Sequence, residues 1–506
     1  MTRHSMQEKS FLGSALLLVT ATYAGTCSAA VTISAKKTTN MTCSGGVCTP
    51  TATKAILNAA DLQTMLASGS VEVTTTGSGV QASDIDVTAP VKWSASSSLV
   101  LDAYHSIAVD DAISVKGMSG MSLVINDGGA GGTLWFSSKG HIAFDNLSSQ
   151  LSINGTTFTL AGDIKTLASD IGANSSGNFA LANSYNAEND GTYTSSPLPG
   201  FGGIFTGLGN TISNLSINDT TAGDYVGLFQ QVYANGGTVQ NLNMQNPSIS
   251  GPAGTASAYA MVGAVAGGDN GLLFNDSVTG GSVSSSGEYA GVGGVAGIVY
   301  AYGASPASAA DCYSTASVAT TSENTTVGDL VGVLASSGAA TAKVSQSYAT
   351  GTVSTGANAA AGGLVGGDGT GANDYLELVT NSYATGAVTV SDNSSAGGLV
   401  GYNDSKVSYS YSTGAPAGTG SSVGGLIGYD ISKSGSLKHT YWDTTTSGIT
   451  NPAQGAGNIA NDPGIKGLST QQLQSGLPKG FNKKVWKETS KLNGGLPYLI
   501  ANPPAK

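Results

Sequence analysis

The sequence predicts an all-β fold, a right-handed parallel β-helix (β-solenoid) with short capping helices. Two short motifs alternate between residues 226 and 441 with a period close to 35 residues. Repeats of that length are typical of stacked architectures in which no unit buries its apolar face alone. The apolar stretches within each repeat are four to six residues long, which is a strand length and too short for a helix. Glycine and asparagine bound these stretches and supply the tight corners that a coiling chain needs.

The two motifs differ in pattern. The first motif is a small or β-branched residue, Gly, a variable residue, two apolar residues and Gly, and its copies are Val262–Gly267, Val292–Gly297, Val327–Gly332, Ala361–Gly366, Ala396–Gly401 and Val423–Gly428. The second motif places a tyrosine two residues after an Asx or Gln residue, and its copies are Asp311–Val318, Gln346–Val353 and Asn381–Val388. Strands of successive repeats are expected to pair in parallel, about 4.8 Å apart.

A β-propeller is the alternative fold, since its blades also run to about 40–50 residues. A propeller blade needs four strands, however, and the sequence indicates only two or three per repeat. The solenoid is therefore favoured.

The chain divides into five predicted segments. Residues 1–30 form a signal peptide, 31–70 an extended segment with a capping helix, and 71–225 irregular solenoid coils with a helical and loop insertion. Residues 226–448 form the regular array and 449–506 a C-terminal cap, which an open solenoid end requires because it exposes an unpaired strand. Helices are predicted from Asn58 to Gly69, from Gly162 to Gly172, and after a capping box at Ser469.

The N-terminus predicts export. Arg3 and Lys9 precede an apolar run that ends at Ala24, and small residues follow to Ala30. That order describes a cleaved secretory signal, and the run is too short to span a bilayer. No membrane-spanning segment is expected in the mature chain. In an oxidising compartment the closely spaced Cys43 and Cys48 are expected to form a local disulfide.

Composition excludes a nucleic-acid partner. The net charge is −11, only 10% of residues are charged, and Arg3 is the only arginine. After the signal is removed, no guanidinium remains to bind a phosphate in bidentate fashion.

No catalytic, cofactor-binding or metal-binding residue is predicted. The chain has no His-Glu-x-x-His motif. Its acidic pairs, of which Asp110-Asp111 is one, are isolated and lie far from one another in the sequence. Tyrosines do recur at one repeat position: Tyr313, Tyr348, Tyr383, Tyr411 and Tyr441. These rings form either a buried core stack, which is favoured, or an outward ladder that binds glycans.

These motifs resemble the GLUG repeats of filamentous-haemagglutinin-like bacterial exoproteins and adhesins. The run Phe205–Ile217 and the tail from Tyr441 to Tyr498 are similar to those proteins as well. The resemblance implies a β-helical exoprotein of a Gram-negative bacterium, extracellular or on the outer cell surface, with the periplasm as the alternative. GLUG repeats also occur beside zinc peptidase domains, whose His-Glu-x-x-His signature is missing here.

The function that the sequence indicates is non-catalytic adhesion. The repeat surface would contact glycans or proteins of a host, a matrix or other cells without any cofactor. The alternatives are a β-helical enzyme that hydrolyses or cleaves polysaccharides, and a structural matrix or spacer protein. The ligand, the export route beyond the inner membrane, any tethering and the oligomeric state are left open by the sequence.

Overall fold

The fold is a parallel β-helix. The computed structural model describes residues 30–234, 236–368 and 376–504, so the signal-peptide prediction lies outside the described residues. Strands of successive coils pair in parallel and in register, for example Val262 with Val292 and then Val327 with Ala361. These continuous parallel ladders confirm the solenoid and exclude the propeller.

Each regular coil contains five short strands, more than the two or three that the sequence indicated. Many of them are only two or three residues long, so they leave no alternating pattern in the sequence. In the described residues they align into five sheets, numbered here in the order in which the chain visits them.

The strands of the five sheets have the following bounds. Sheet 1 contains Met41–Ser44, Val47–Pro50, Val71–Thr74, Ser98–Asp102, Gly120–Val124, Gln150–Ile153, Thr156–Ala161, Asn178–Leu181, Ile204–Thr206, Thr238–Gln240, Leu272–Phe274, Ala307–Ala310, Ala342–Ser345, Glu377–Thr380, Lys406–Ser408 and Leu437–Lys438. Sheet 2 contains Tyr185–Asn186, Thr211–Ser213, Asn243–Gln245, Ser277–Thr279, Tyr313–Ser314, Tyr348–Ala349, Tyr383–Ala384, Tyr411–Ser412, Thr440–Asp443 and Ile465–Leu468. Sheet 3 contains Thr192–Tyr193, Ser216–Asn218, Ser248–Gly251, Ser282–Ser285, Ser317–Thr320, Val353–Ser354, Val388–Val390 and Pro416–Gly418. Sheet 4 contains Tyr225–Val226, Ala260–Gly263, Ala290–Gly293, Thr326–Gly328, Ala360–Gly362, Ser395–Gly397 and Ser422–Gly424. Sheet 5 contains Phe229–Val232, Ala266–Asp269, Ala296–Gly303, Val331–Gly338, Val365–Asp368, Val400–Asn403 and Ile427–Asp430.

The N-terminal coils share sheet 1 and add two smaller sheets. One contains Val31–Ser34, Ala55–Asn58, Ile85–Val87, Ile107–Val109 and Leu134–Phe136, and the other contains Val91–Trp93, Ile113–Val115 and Ile142–Phe144. Two separate antiparallel pairs join Thr76–Gly77 to Val80–Gln81 and Trp486–Lys487 to Tyr498–Leu499. Within sheet 1, the first two strands and the pair Gln150–Ile153 with Thr156–Ala161 are also antiparallel. Sheets 4 and 5 begin at Tyr225 and Phe229, where the sequence places the start of the regular array.

The three predicted helices are present. Helix α1 spans Ala59–Leu66 with Asn58 as its N-cap, helix α2 spans Ile164–Ala173 with Asp163 as its N-cap, and helix α3 spans Thr470–Leu473 with a capping box at Ser469. Two 3₁₀ turns occupy Ala187–Asp190 and Asn493–Gly495. In each helix the cap side chain accepts a hydrogen bond from a backbone N–H that the helix itself leaves unpaired.

The first repeat motif forms the corner between sheets 4 and 5. Its apolar residues, such as Leu399 and Val400, are fully buried. The first and last glycines of the motif are required because a side chain would have no room at either position. A Cβ atom on Gly397 would overlap the carbonyl oxygen of Val400, and one on Gly401 would overlap the backbone of the preceding coil at Gly366. Two backbones therefore touch at this corner, and only glycine allows it.

The second motif begins at the corner between sheets 1 and 2. Asp311, Gln346 and Asn381 all adopt a left-handed backbone there, with φ between 49° and 55°. Asn and Asp tolerate this conformation better than most residues. The next position is a buried small residue whose hydroxyl accepts from the backbone of the coil before it, as in Ser347 N–H to Ser382 Oγ at 3.3 Å. Cys312 occupies this position and is buried.

The corner glycines give a stability prediction. Gly397→Ala should lower the free energy of unfolding by about 1–3 kcal/mol, because the new methyl group must displace packed backbone. Gly172→Ala is the matched control, since Gly172 lies in helix α2 with no heavy atom near its Cβ position, and alanine favours a helix. Thermal melts followed by circular dichroism measure both. Equal melting temperatures for Gly397→Ala and the native protein would contradict the steric account.

Candidate functional site

The repeat tyrosines point away from the interior of the coil. Successive side chains of a strand lie on opposite faces, and in sheet 2 each tyrosine is followed by an inward residue such as Ala349 or Ala384. Those alanines belong to the main apolar core, whereas Tyr348 and Tyr383 belong to a separate cluster with Trp486. The tyrosine column therefore lies on the outer flank of sheet 2.

The rings on this flank are stacked face to face. Tyr313, Tyr348, Tyr383 and Tyr411 follow one another with ring centroids 4.9, 5.0 and 5.2 Å apart and interplanar angles of 2–7°. Tyr441 continues the column and packs edge-on against Phe481. We call these five residues the tyrosine ladder. Its spacing is that of the strands that carry it.

The C-terminal segment covers the tyrosine ladder. After the strand Ile465–Leu468 extends sheet 2 by one position, the chain turns back along the flank. Phe481 and Trp486 pack on the rings of Tyr383 and Tyr411. Hydrogen bonds fix the segment, from Tyr411 Oη to the Pro497 carbonyl at 2.6 Å and from Tyr441 Oη to the Lys479 carbonyl at 2.7 Å.

This arrangement decides between the two predictions for the tyrosines. Tyr348, Tyr383, Tyr411 and Tyr441 are at most 6% exposed, so they form a buried stack, as favoured, and offer no ligand surface. The stack lies on the outer flank of sheet 2, where the C-terminal segment buries it apart from the interior of the coil. Tyr313, at the N-terminal end of the tyrosine ladder, is half-buried. The sequence could not reveal the covering segment, since its ring contacts with the tyrosine ladder join residues 40 to 103 positions apart.

An open groove lies on another side of the coil, between the outer faces of sheets 4 and 5. The two faces approach each other, since a Cβ on Gly367 of sheet 5 would contact the Thr326 side chain of sheet 4, and a Cβ on Gly291 of sheet 4 would contact Val333 of sheet 5. The cavity measures ≈750 Å³. We call it the corner groove.

The corner groove is lined by uncharged side chains. Its lining includes four tyrosines, Tyr259, Tyr289, Tyr402 and Tyr429, and three asparagines that recur from coil to coil, Asn324, Asn358 and Asn393. Small residues of sheet 4, such as Ser395 and Ser422, line it as well. The rings of Tyr402 and Tyr429 lie 6.0 Å apart with planes 4° from parallel, and Tyr429 is 39% exposed.

Sequence reasoning missed these four tyrosines. Tyr402 and Tyr429 each stand one residue after the last glycine of the first motif, at Val400-Gly-Tyr and Ile427-Gly-Tyr. That shared position was a usable signal. Tyr259 and Tyr289 each precede a sheet 4 strand by one residue, a relation that becomes visible only once the strands are known.

Several carboxyl groups are buried at the corners of the coil. Asp269, Asp329 and Asp368 are fully buried. Burial raises the pKa of Asp269 from 3.8 to about 8 and that of Asp329 to about 7, although Ser314 and Gly351 donate hydrogen bonds to Asp329. Burial also raises the pKa of Asp311 to about 7 against the opposing effect of Lys343. Burial therefore favours the neutral form of each of these groups, and they lie inside the coil, away from any surface that a substrate could reach.

A cluster of carboxyl groups on the N-terminal coils is more accessible than these buried acids. Burial, and then the neighbouring charges of Asp84 and Asp110, raise the pKa of Asp86 to about 6. His105 Nδ1 lies 2.9 Å from the Asp84 carboxylate. The sequence predicts dispersed acidic residues, but coiling brings Asp84, Asp86 and Asp110 together, although they are up to 26 positions apart.

Three further features concern the disulfide, metal-binding side chains and membrane-spanning helices. Cys43 and Cys48 are joined in a disulfide. No group of three His, Cys, Asp or Glu side chains in the described ranges is arranged to hold a metal ion. None of the helices formed by the described residues is both long and apolar enough to cross a membrane.

Comparison with known proteins leaves the family open. No family model matches the chain, and no curated protein matches it. Among solved structures, a Bacteroides ovatus protein provisionally named an immunoglobulin A1 protease is similar over 64% of this chain and 85% of its own length. The two are 18% identical with a TM-score of 0.39, which is too distant to bear on this chain's function.

The covering segment gives a second prediction. Trp486→Ala should lower the free energy of unfolding by about 3–5 kcal/mol, because it empties a fully buried indole site against Tyr383 and Tyr411. It should also increase limited proteolysis between residues 469 and 504. Trp486→Phe is the matched control and should retain most of the protection. If proteolysis of this segment is unchanged in Trp486→Ala, the indole does not hold the segment on the tyrosine ladder.

The buried carboxyl groups give a pH prediction. Their pKa values are raised in the folded protein. The folded state therefore binds more protons than the unfolded chain between about pH 4 and pH 8. Because of this difference, the free energy of unfolding falls as the pH rises through that window. Asp269→Asn keeps an oxygen that can accept from the Gly271 N–H. It should match the native protein near pH 4 and exceed its stability at pH 8 by about 1.4 kcal/mol or more, the value of one pKa unit. Denaturant titrations at both pH values measure this, and native stability that rises with pH would overturn the assignment.

Proposed function

We propose that this chain is an exported, non-catalytic, adhesin-like protein of the GLUG-repeat type that binds an uncharged glycan in the corner groove. The observation that carries the proposal is the groove itself, a long open cavity lined by tyrosines and by hydroxyl and amide groups.

The chemistry of the groove suits a saccharide. Aromatic rings present an electron-rich face to polarised C–H groups, and Asn, Ser and Thr side chains both donate and accept hydrogen bonds. No charged side chain of the described residues lines the cavity itself. The Glu323 carboxylate, which accepts a hydrogen bond from Asn358 Nδ2 at 3.2 Å beside the lining, would disfavour an anionic ligand. The groove follows coils spaced about 4.8 Å apart, which favours a linear chain over a compact ligand.

Export and family rest on the sequence. The basic, apolar and small-residue order of residues 1–30 supports secretion, and the two alternating motifs support membership of the GLUG-repeat exoproteins. We place the mature protein outside the cell or on the outer surface. Cell fractionation of the source organism tests this, and mature protein found only in the periplasm would contradict it.

An enzyme that hydrolyses polysaccharides is the second candidate. Asp84, Asp86 and Asp110 favour it, because a carboxyl group with a pKa near 6 beside further carboxyl groups is the combination that glycoside hydrolysis uses. Hydrolases of that kind need a cleft around the pair. The large open groove of this protein lies instead on the later coils, between sheets 4 and 5, which favours binding.

A glycan array probed with the purified mature protein tests the proposal. We expect binding to linear uncharged glycans, weakened at least tenfold by Tyr429→Ala and by Asn358→Ala, because each removes part of the lining. Tyr302→Ala is the matched control: Tyr302 is 64% exposed on sheet 5 outside the groove and should bind like the native protein.

The same preparation tests catalysis. Incubation with the bound glycans should release no reducing ends. Release that disappears in Asp86→Asn would establish the enzyme instead, and an array without any bound glycan would leave the structural spacer as the function.

A further inference from the structure

The tyrosine ladder ends at a ring with one uncovered face. Tyr313 stacks on Tyr348 of the next coil with centroids 4.9 Å apart and planes 2° from parallel. The residue paired with Tyr313 on the preceding coil is Ser277, and the one before that is Asn243. Neither is aromatic, so the stack stops and the second face of Tyr313 is turned toward the space above these two small polar side chains.

That space is a cavity of ≈540 Å³, a size typical of small-ligand sites. Trp135 and Phe136 of the N-terminal coils line it together with Tyr313, and so do residues 501–504 of the C-terminal segment. Trp135 is held by a hydrogen bond from its Nε1 to the Ala501 carbonyl at 2.9 Å. Asn502 Nδ2 donates to the Cys312 carbonyl at 3.1 Å and fixes the segment beside Tyr313.

The floor of the cavity has oriented polar groups. Ser277 Oγ donates to Asn243 Oδ1 at 2.7 Å, and Asn243 Nδ2 donates to the Gly209 carbonyl at 2.8 Å. Asn275 Nδ2 donates to Asn241 Oδ1 at 2.8 Å. An amide oxygen accepts two hydrogen bonds and an amide nitrogen donates two, so these fixed amides retain capacity toward a ligand. The charged side chain of the lining is the exposed Lys139.

We propose that this cavity is a second saccharide site, which takes one pyranose ring of an uncharged glycan against the free face of Tyr313. The ring's C–H face packs on Tyr313, where the aromatic quadrupole is negative. Its hydroxyl groups exchange hydrogen bonds with Asn243 and Asn275, and Trp135 lines the same cavity. The site lies on the sheet 2 flank, separate from the corner groove between sheets 4 and 5, so it stands whether or not the groove binds glycan.

Tryptophan fluorescence provides a direct probe of this cavity. The chain has four tryptophans, and Trp93, Trp442 and Trp486 are at most 4% exposed. Trp135 is half-buried and lines the cavity. A ligand that enters should therefore change the emission of Trp135 alone, and Trp135→Phe should remove the signal.

The experiment titrates the mature protein with hexasaccharides of α- and β-linked glucose, β-linked mannose, galactose and N-acetylglucosamine. At least one should change the emission saturably. Tyr313→Ala should weaken that binding at least tenfold, Tyr313→Phe should retain it, and Ser277→Tyr should abolish it, because the new ring continues the stack into the cavity. Tyr302→Ala, a change on sheet 5 outside both cavities, should give the same emission titration as the native protein. Tyr429→Ala alters the corner groove alone, so the Trp135 response should persist in that variant.

Three results would overturn the inference. One is an unchanged emission with every hexasaccharide. Another is a signal lost in Tyr429→Ala but kept in Ser277→Tyr, which would assign binding to the corner groove. The third is a response to adenosine and none to sugars, which would assign a planar base to the cavity. Circular dichroism of Tyr313→Ala and Ser277→Tyr confirms that each variant is folded before its binding is compared.

Discussion

Backbone contact at the corner between sheets 4 and 5 is the constraint on which the rest of the molecule depends. The first and last glycines of each first motif let the chain turn where a Cβ atom would overlap a neighbouring carbonyl, as at Gly397 and Gly401. The turn brings each coil directly over the last. Once coils are in register, any residue that recurs with the repeat becomes a column on the surface or in the core.

The same recurrence produces one surface that is covered and one that is open. A recurring tyrosine in sheet 2 becomes the tyrosine ladder, and the C-terminal segment covers it through Trp486 and Phe481. Recurring small and polar residues in sheet 4, opposite Tyr402 and Tyr429 of sheet 5, become the corner groove, which stays open. At Tyr313, one end of the tyrosine ladder borders a cavity that residues 501–504 of the covering segment also line.

Repetition made the fold predictable and left the sites largely hidden. The corner glycines and the capping residues Asn58 and Ser469 act on their chain neighbours, so their consequences can be derived from sequence. The cover over Tyr383 depends on Trp486. The pKa of Asp86 is raised by burial and then by the charges of Asp84 and of Asp110, which belongs to another coil. The number of residues in each coil decides which residues make such contacts. Strands as short as Tyr383–Ala384 leave no pattern from which to count them.

Hydroxyl-radical footprinting with mass spectrometry of the mature protein tests this division of the surface most directly. Oxidation reports side-chain exposure, and the native protein supplies both classes of tyrosine in one experiment. Tyr429 and Tyr259, at 39% and 40% exposed, should be oxidised rapidly, while Tyr383 and Tyr411, which are fully buried, should be protected. Equal oxidation of Tyr383 and Tyr429 would contradict the covered tyrosine ladder and the open corner groove together.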